Sequence, residues 1–581
     1  MNDIAQEVVD KLETLLFEDY KEYFRGTVRI KFEHLRFDLD PRSTATISER
    51  HSCRQPNEDV KKILLQRFKE QKILRLAPIN HIPAIISPQL LVKAIDKSPG
   101  LRRDGNLLGD TSIPELILPP DTTVTCLQGI HRVAAAKELL PKASWWWVVD
   151  LFEEGLSRRL QSALAEEYSK NVNFSDGEIY LKYAAYLRSS HDELESVFAQ
   201  KRLLARLHPD KRKALRRMRS SNHLGPFIDQ LRTIPGLWHG FRIDQKCLAT
   251  KSFEEMRHYI HHIDRTWRGY VNGRSELLWT ISRQTVDAME LHVPAWSLFD
   301  RSALQKRFQT RDLFPEVVDW IERQEIWSNI VKTPTLIPSF HTFFEDMKFL
   351  RNPAMVMKRL IPPSAKSIRT GMIQIFQQSA PNRGVCWIQT SESTFVEIPG
   401  STDDQFEFGY RQIWLYAWRH WPDMTPQCPK KEENDDSLPT KMSNPMRWHG
   451  IAALAQKLGF HSPQIQQFIS SAVHLETARQ TLGQALDPRL YDVPESTVLD
   501  LASHIERCVA TAVPRQILGL QMVETGSGEL LKRRSGRPYR IAFEGEKEHL
   551  FLPTISSRPQ QEGGGVSSLF VRASMFEAFF G

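Results

Sequence analysis

Residues 121–140, DTTVTCLQGIHRVAAAKELL, constrain the fold of this chain most. They read as a strand from Thr122 to Leu127, a tight turn at Gly129 and a helix from about His131. Val133, Ala136, Lys137 and Leu140 fall at helical spacing, and the small Ala134 and Ala135 let the helix lie close to a sheet. A glycine followed by His and Arg at a helix start suits an anion. The glycine lets backbone approach, unpaired N–H groups point outward, and the helix dipole favours negative charge. Arg132 would add a forked, permanently charged donor. The same residues also fit a plain strand–turn–helix whose His131 and Arg132 face solvent, and both readings stay open at this point.

The flanks carry further pieces in order. Val28, Ile30 and Phe32 alternate with Arg29, Lys31 and Glu33, as a half-buried strand should. Asp40-Pro41-Arg42 is a short turn. Val60, Ile63, Leu64 and Phe68 mark a helix face, Ile79 to Ile86 an apolar strand, and Trp145 to Leu151 another apolar run. Tyr168 to Tyr186 holds Asn171 and Asn173, with Ser175 and Glu178 spaced as a capping box. In this order, residues 28–190 resemble the ParB/sulfiredoxin-like superfamily, whose central motif is a G-x-[RH]-R turn leading into an Ala-rich helix. The resemblance implies phosphate or nucleotide binding (CTP or ATP with Mg²⁺) by Gly129, His131, Arg132, Arg42, Lys170, Asn171 and Asn173. It also implies His131 with Asp176 or Glu178 as catalytic candidates. The sequence departs from the family where a Glu-Asn pair would support Mg²⁺, because Lys170 stands there and a lysine cannot ligate the metal. The catalytic cysteine of sulfiredoxin is replaced by Ile130, with Cys126 on the preceding strand.

Composition is that of an ordinary soluble globular chain: 581 residues, 41% hydrophobic and 25% charged, long enough for several domains. A net charge of +7 permits nucleic-acid binding, although the placement of charge matters more than its sum. The six cysteines form no Cys-x-x-Cys pair, which points away from zinc modules and disulfide scaffolds. No stretch approaches a membrane span, and no metal site is expected. Residues 1–27 read as an amphipathic helix packing on the body or on another protomer. They lack the marks of a signal peptide.

Beyond residue 190 the chain reads as mostly helical. Residues 191–300 open with a basic stretch, QKRLLARLHPDKRKALRRMR, carrying nine Lys or Arg against Asp210 alone. Arg212, Lys213, Arg216, Arg217 and Arg219 cluster on its second helix, as a phosphate-backbone contact would require or as a solvated face would allow. His258, His261 and His262 read as a polar helix face. Residues 301–421 are rich in Trp and Phe, with Ile413, Trp414, Ala417 and Trp421 spaced for core packing. Residues 422–445 are Pro-rich and charged, as a linker is.

Within 446–515, IAALAQKLGFHSPQIQQF places Ala455, Gly459 and Ile465 at helix-turn-helix positions, Ser462 as a cap and Pro463 at a first helical turn. Gln464 and Gln467 could then read adenine, although this helix carries no Lys or Arg and would serve a protein contact equally well. In 516–581, Lys532, Arg533, Arg534 and Arg537 resemble an AT-hook core that could enter a minor groove. The alternative there is a basic connection before two strands in YRIAFEGEKEHLFLPTI. Nearly the whole length, including YRQIWLYAWRHWPDM and the terminal SLFVRASMFEAFFG, resembles a fungal family of unknown function that recurs as cargo of giant transposable elements.

The expectation is therefore an α+β multidomain chain: an N-terminal ParB-like α/β domain, helical regions including a helix-turn-helix, and a short β C-terminus. Its expected role is a DNA-associated, nuclear or cytoplasmic protein, with a homodimer admitted and no membrane contact. The alternatives are a nucleotide hydrolase, phosphotransferase or metal-dependent nuclease, and a non-catalytic interaction scaffold.

Overall fold

The computed structural model describes residues 14–37, 58–71, 73–98, 113–167, 174–187, 197, 200–201, 203–220, 224–377, 384–431, 443–470, 473–487, 489–511, 528–557 and 565–581. It falls into two compact units, 1–212 and 213–581, a coarser division than the seven segments read from composition.

The first unit is built on a five-stranded sheet of order β1-β5-β3-β4-β2, with β1 Phe24–Lys31, β2 Leu35–Arg36, β3 Ile82–Ile86, β4 Val124–Cys126 and β5 Trp146–Glu153. β1 runs antiparallel to β5 with Val28 opposite Val149, and β5 runs parallel to β3 with Ile82 also opposite Val149. β3 and β4 are antiparallel, β4 and β2 parallel. Val28 and Ile30 are buried, so the alternation seen in the sequence sets which face of β1 meets the core. On that face the helices α3 Pro88–Lys97 and α4 Ile130–Leu139 pack through Leu91, Ala94, Ile95, Val133 and Ala136. The opposite face carries Phe152, Ile85 and Leu127. It is covered by α1, residues 14–23, through Leu16, Tyr20 and Tyr23, and by α5 Arg158–Glu167 through Leu160 and Leu164. Asp19 on α1 accepts from Arg159 Nε at 2.7 Å, which fixes the two covering helices to each other. α2 Glu58–Gln71 and α6 Asp176–Tyr186 complete the helices of this unit used below, and α7 Pro209–Ser220 runs across the division at residues 212 and 213.

The second unit is mostly helical. Its core is aromatic: Trp414, Trp418 and Trp421, on the helix Thr402–Met424, are all fully buried. They meet Phe349, Phe543, Phe576 and Phe580 edge-on or tilted at centroid distances of 4.8–6.3 Å. Rings at these separations gain from offset geometry as well as from burial. The Trp-rich face is thus core, as its spacing indicates.

Three expectations are corrected here. YRIAFEGEKEHLFLPTI does not form strands. It forms helices Arg540–Glu546 and Leu552–Ser556 around a 3₁₀ turn, and the described C-terminus is the buried helix Ser568–Phe580. Residues 301–421 are not purely helical, because Val385–Gln389 and Phe395–Pro399 form an antiparallel hairpin. The described ends of the linker-like stretch are anchored. Asn444 N donates to Asp423 O at 2.7 Å, and Tyr416 donates to Arg447 O at 3.2 Å, so helix Pro445–Lys457 packs on helix Thr402–Met424 instead of opening a separate module.

Candidate functional site

The β4–α4 turn takes the shape its sequence indicates. Gly129 has φ +100°, the left-handed region, and caps α4. A Cβ at this position would lie 2.7 Å from Ile82 Cδ1 and 2.8 Å from Cγ1. The glycine therefore has two internal reasons to be there: the turn, and the approach of α4 to β3.

His131 and Arg132 are buried, not solvent-facing. Arg132 donates from Nη1 to Asn80 O at 2.7 Å and from Nη2 to Gln128 Oε1 at 3.2 Å. Asn80 O also accepts from Trp147 Nε1 at 2.8 Å, so this carbonyl ties α4, β5 and the loop before β3 together. Among the described residues no carboxylate pairs with Arg132. Burial lowers its guanidinium to about 10. Gln128 Nε2 is buried with no hydrogen-bond partner.

The candidate acids on α6 are committed elsewhere. Glu178 closes the expected capping box: Ser175 N donates to Glu178 Oε2 at 2.7 Å, and Glu178 N to Ser175 Oγ at 3.2 Å. Asp176 accepts Lys211 Nζ at 2.7 and 2.8 Å. Arg42, Lys170, Asn171 and Asn173 lie outside the described residues. Among the described residues no group of three or more His, Cys, Asp or Glu could hold a metal ion.

α7 separates its residues by face. Ala214, Leu215 and Met218 are buried, while Lys213, Arg216 and Arg217 are exposed at i, i+3 and i+4 spacing. Among the five expected DNA contacts, Arg212 and Arg219 have internal partners. Arg212 donates to Leu207 O at 2.8 Å, and Arg219 pairs with Asp229 at 2.6 Å. The exposed face that results is mainly basic, with Asp210 as the exposed acid of its first turn.

In the second unit, helices Pro445–Lys457 and Pro463–Ser470 form the expected helix-turn-helix connection. Gly459 has φ +90°, Ala455 and Ile465 are buried, and Ser462 Oγ accepts from Ile465 N at 3.1 Å. Gln467 is exposed. Gln464 is half-buried, with an orphaned Oε1.

The AT-hook-like run is corrected at Arg534. Its guanidinium is buried, bonded to Asp300 Oδ2 at 2.6 Å and to Leu291 O at 3.0 Å. Gly536 N donates to Asp346 at 2.7 Å, and Arg537 reaches Gln427 Oε1 and Cys428 O at 3.3 Å. Arg533 stacks on Tyr539, and of the four only Lys532 is exposed. A segment threaded through the core in this way cannot lie along a groove.

These features define a two-unit protein: a mixed-sheet α/β unit with a buried arginine at a strand–helix turn, then a helical unit closed on its own C-terminal helix. Profiles for a protein of unknown function (DUF3723) match both parts, the N-terminal domain over residues 23–170 and the central domain over 176–581. The chain belongs to that family. No curated protein and no solved structure matches it. Neither matched profile is that of the ParB/sulfiredoxin-like superfamily, so that resemblance rests on the order of motifs alone.

Proposed function

We propose that this chain binds nucleic acid and acts as a DNA-associated protein, with Lys213, Arg216 and Arg217 of α7 as its principal phosphate contacts. The observation that carries this reading is the set of exposed cations on α7, Lys213, Arg216 and Arg217, which outnumber the exposed Asp210 at its start and lie opposite a buried Ala214, Leu215 and Met218. Phosphate backbones favour such a face because neutralisation releases condensed counterions. The helix-turn-helix, with Gln467 exposed, offers a second contact that carries little charge of its own. A nuclear location and a role in a mobile element belong to this reading as its biological setting. It is tested by fluorescence anisotropy of a labelled duplex with the full chain. Salt-sensitive binding supports it, and no binding at low salt overturns it.

A second reading, a ParB-like phosphate or nucleotide pocket at the β4–α4 turn, is favoured by one observation: Arg132 is a buried cation without a paired carboxylate among the described residues. Such a charge is expensive to bury, and a bound anion would offset part of that cost. The donors of Arg132 already hold Asn80 O and Gln128, so an anion must share or displace these bonds. Titration of CTP, ATP and GTP with Mg²⁺ against wild type and Arg132→Ala tests it. Binding that is lost in the variant supports the pocket, and equal behaviour of the two proteins removes it. Turnover that is lost in His131→Ala would make the pocket catalytic.

A further inference from the structure

Helix Trp320–Ile330 of the second unit begins with an apolar ridge that nothing in the nucleic-acid reading uses. Val318, Trp320 and Ile321 are 71%, 66% and 69% exposed. Single exposed apolar residues are common, but three within four positions are the kind of cluster that marks an interaction site.

The ridge is held rigidly from beneath. Arg323 is buried and donates to Phe314 O at 2.8 Å, Phe308 O at 2.7 Å and Val317 O at 3.2 Å. Asp319 caps the helix by accepting Glu322 N at 2.8 Å. A rigid aromatic anchor loses little conformational entropy when a partner covers it.

Its charge leans acidic, with exposed Arg311 as the cation at its start. From Asp312 to Glu325 every exposed charge is acidic, because the one cation in that span, Arg323, is turned inward. Arg274 meets Glu322 and Glu325 at 3.1 and 3.0 Å, which leaves Asp312, Glu316 and Asp319 as the exposed acids of the segment leading into Trp320.

We propose that this ridge docks a basic protein segment with an apolar face, Trp320 packing on that face and Glu316 and Asp319 meeting its lysines or arginines. An acidic rim is repelled by nucleic acid and by anionic lipid, which leaves a basic polypeptide as the complementary occupant.

The test uses the full chain and two labelled probes: a short amphipathic Leu/Lys helix and its Leu/Glu counterpart. The Leu/Lys helix should bind wild type and the Leu/Glu helix should not. Trp320→Ala should weaken the Leu/Lys complex by at least about tenfold, as loss of a central aromatic anchor does. Glu316→Lys, which leaves the ridge intact, should weaken it too. Equal binding of both probes, or an unchanged affinity in Trp320→Ala, overturns the proposal. So does sedimentation showing self-association that Trp320→Ala abolishes, which would give the ridge to a second copy. Vesicle binding lost in the same variant would give it to a membrane.

Discussion

Replacing Gly129 by alanine separates packing from ligand approach at the β4–α4 turn. At φ +100° a Cβ is strained by roughly 1–2 kcal/mol. The same Cβ meets Ile82 Cδ1 at 2.7 Å, and Ile82 is fully buried on the central strand β3, so it cannot swing away. Overpacking of that kind adds about 1–3 kcal/mol. The sum is about 2–5 kcal/mol, or a fall of roughly 5–15 °C in the melting temperature of a unit this size. The decisive assay is a double-mutant cycle with Ile82→Ala. That change alone opens a cavity and costs about 2–5 kcal/mol. If the clash is real, the double variant should cost less than the sum of the two by about 1–3 kcal/mol, read by thermal or urea unfolding. Additive costs, or a loss below about 1 kcal/mol in Gly129→Ala, would refute the packing explanation and restore ligand approach as the reason for the glycine.

Other outcomes follow from the second unit. Glu255 is buried, bonded to the Tyr410 hydroxyl and left with an orphaned Oε2, and burial pushes its carboxyl up to about 7. Its folded value lies above the ordinary 4.5, so its favourable contribution is complete below pH 4.5 and is lost as pH rises towards 7. Glu255→Gln should therefore gain on wild type between pH 5 and pH 8, by up to roughly 3 kcal/mol. A difference in urea midpoint that is the same at both pH values would contradict this. Arg534→Ala strands Asp300 in the core and should cost about 3–5 kcal/mol, whereas Lys532→Ala, two residues away and exposed, should stay within about 0.5 kcal/mol. Ser462→Ala removes both a helix cap and a donor to Leu360 O, and should cost about 1–2 kcal/mol in thermal unfolding.

The elements that were legible in the sequence are those whose signal is local. The alternation of Val28 and Ile30, the glycine before α4, the Ser175–Glu178 box and the Gly459–Ser462–Pro463 turn each depend on residues within a few positions of one another. Hidden features depend on distant partners. The acceptor of Arg132, Asn80 O, lies 52 positions upstream, and Asp300 lies 234 positions before Arg534. A basic run therefore read as surface when one of its members is core. Residues 539–555 read as strands because a short apolar run fits either period. The burial of Phe543, Leu550, Leu552 and Ile555 settles them as helix and turn. The hairpin at 385–399 had a usable signal, with β-branched and aromatic residues on both sides of Ser391-Glu392-Ser393, but the surrounding helical pattern masked it. The site was legible only in part. The turn geometry was foreseen, while the burial of His131 and Arg132 and the commitment of Asp176 to Lys211 were not.

The most direct test of the nucleic-acid reading is the salt dependence of duplex binding by wild type and by Lys213→Ala/Arg216→Ala/Arg217→Ala. Each lost phosphate contact should reduce the slope of log affinity against log salt by about 0.9. The triple variant should therefore show a slope smaller by roughly 2–3, with an affinity lower by at least about tenfold at low salt and an unchanged melting temperature. The same slope in both proteins, or no binding by wild type at low salt, would contradict the role given to α7.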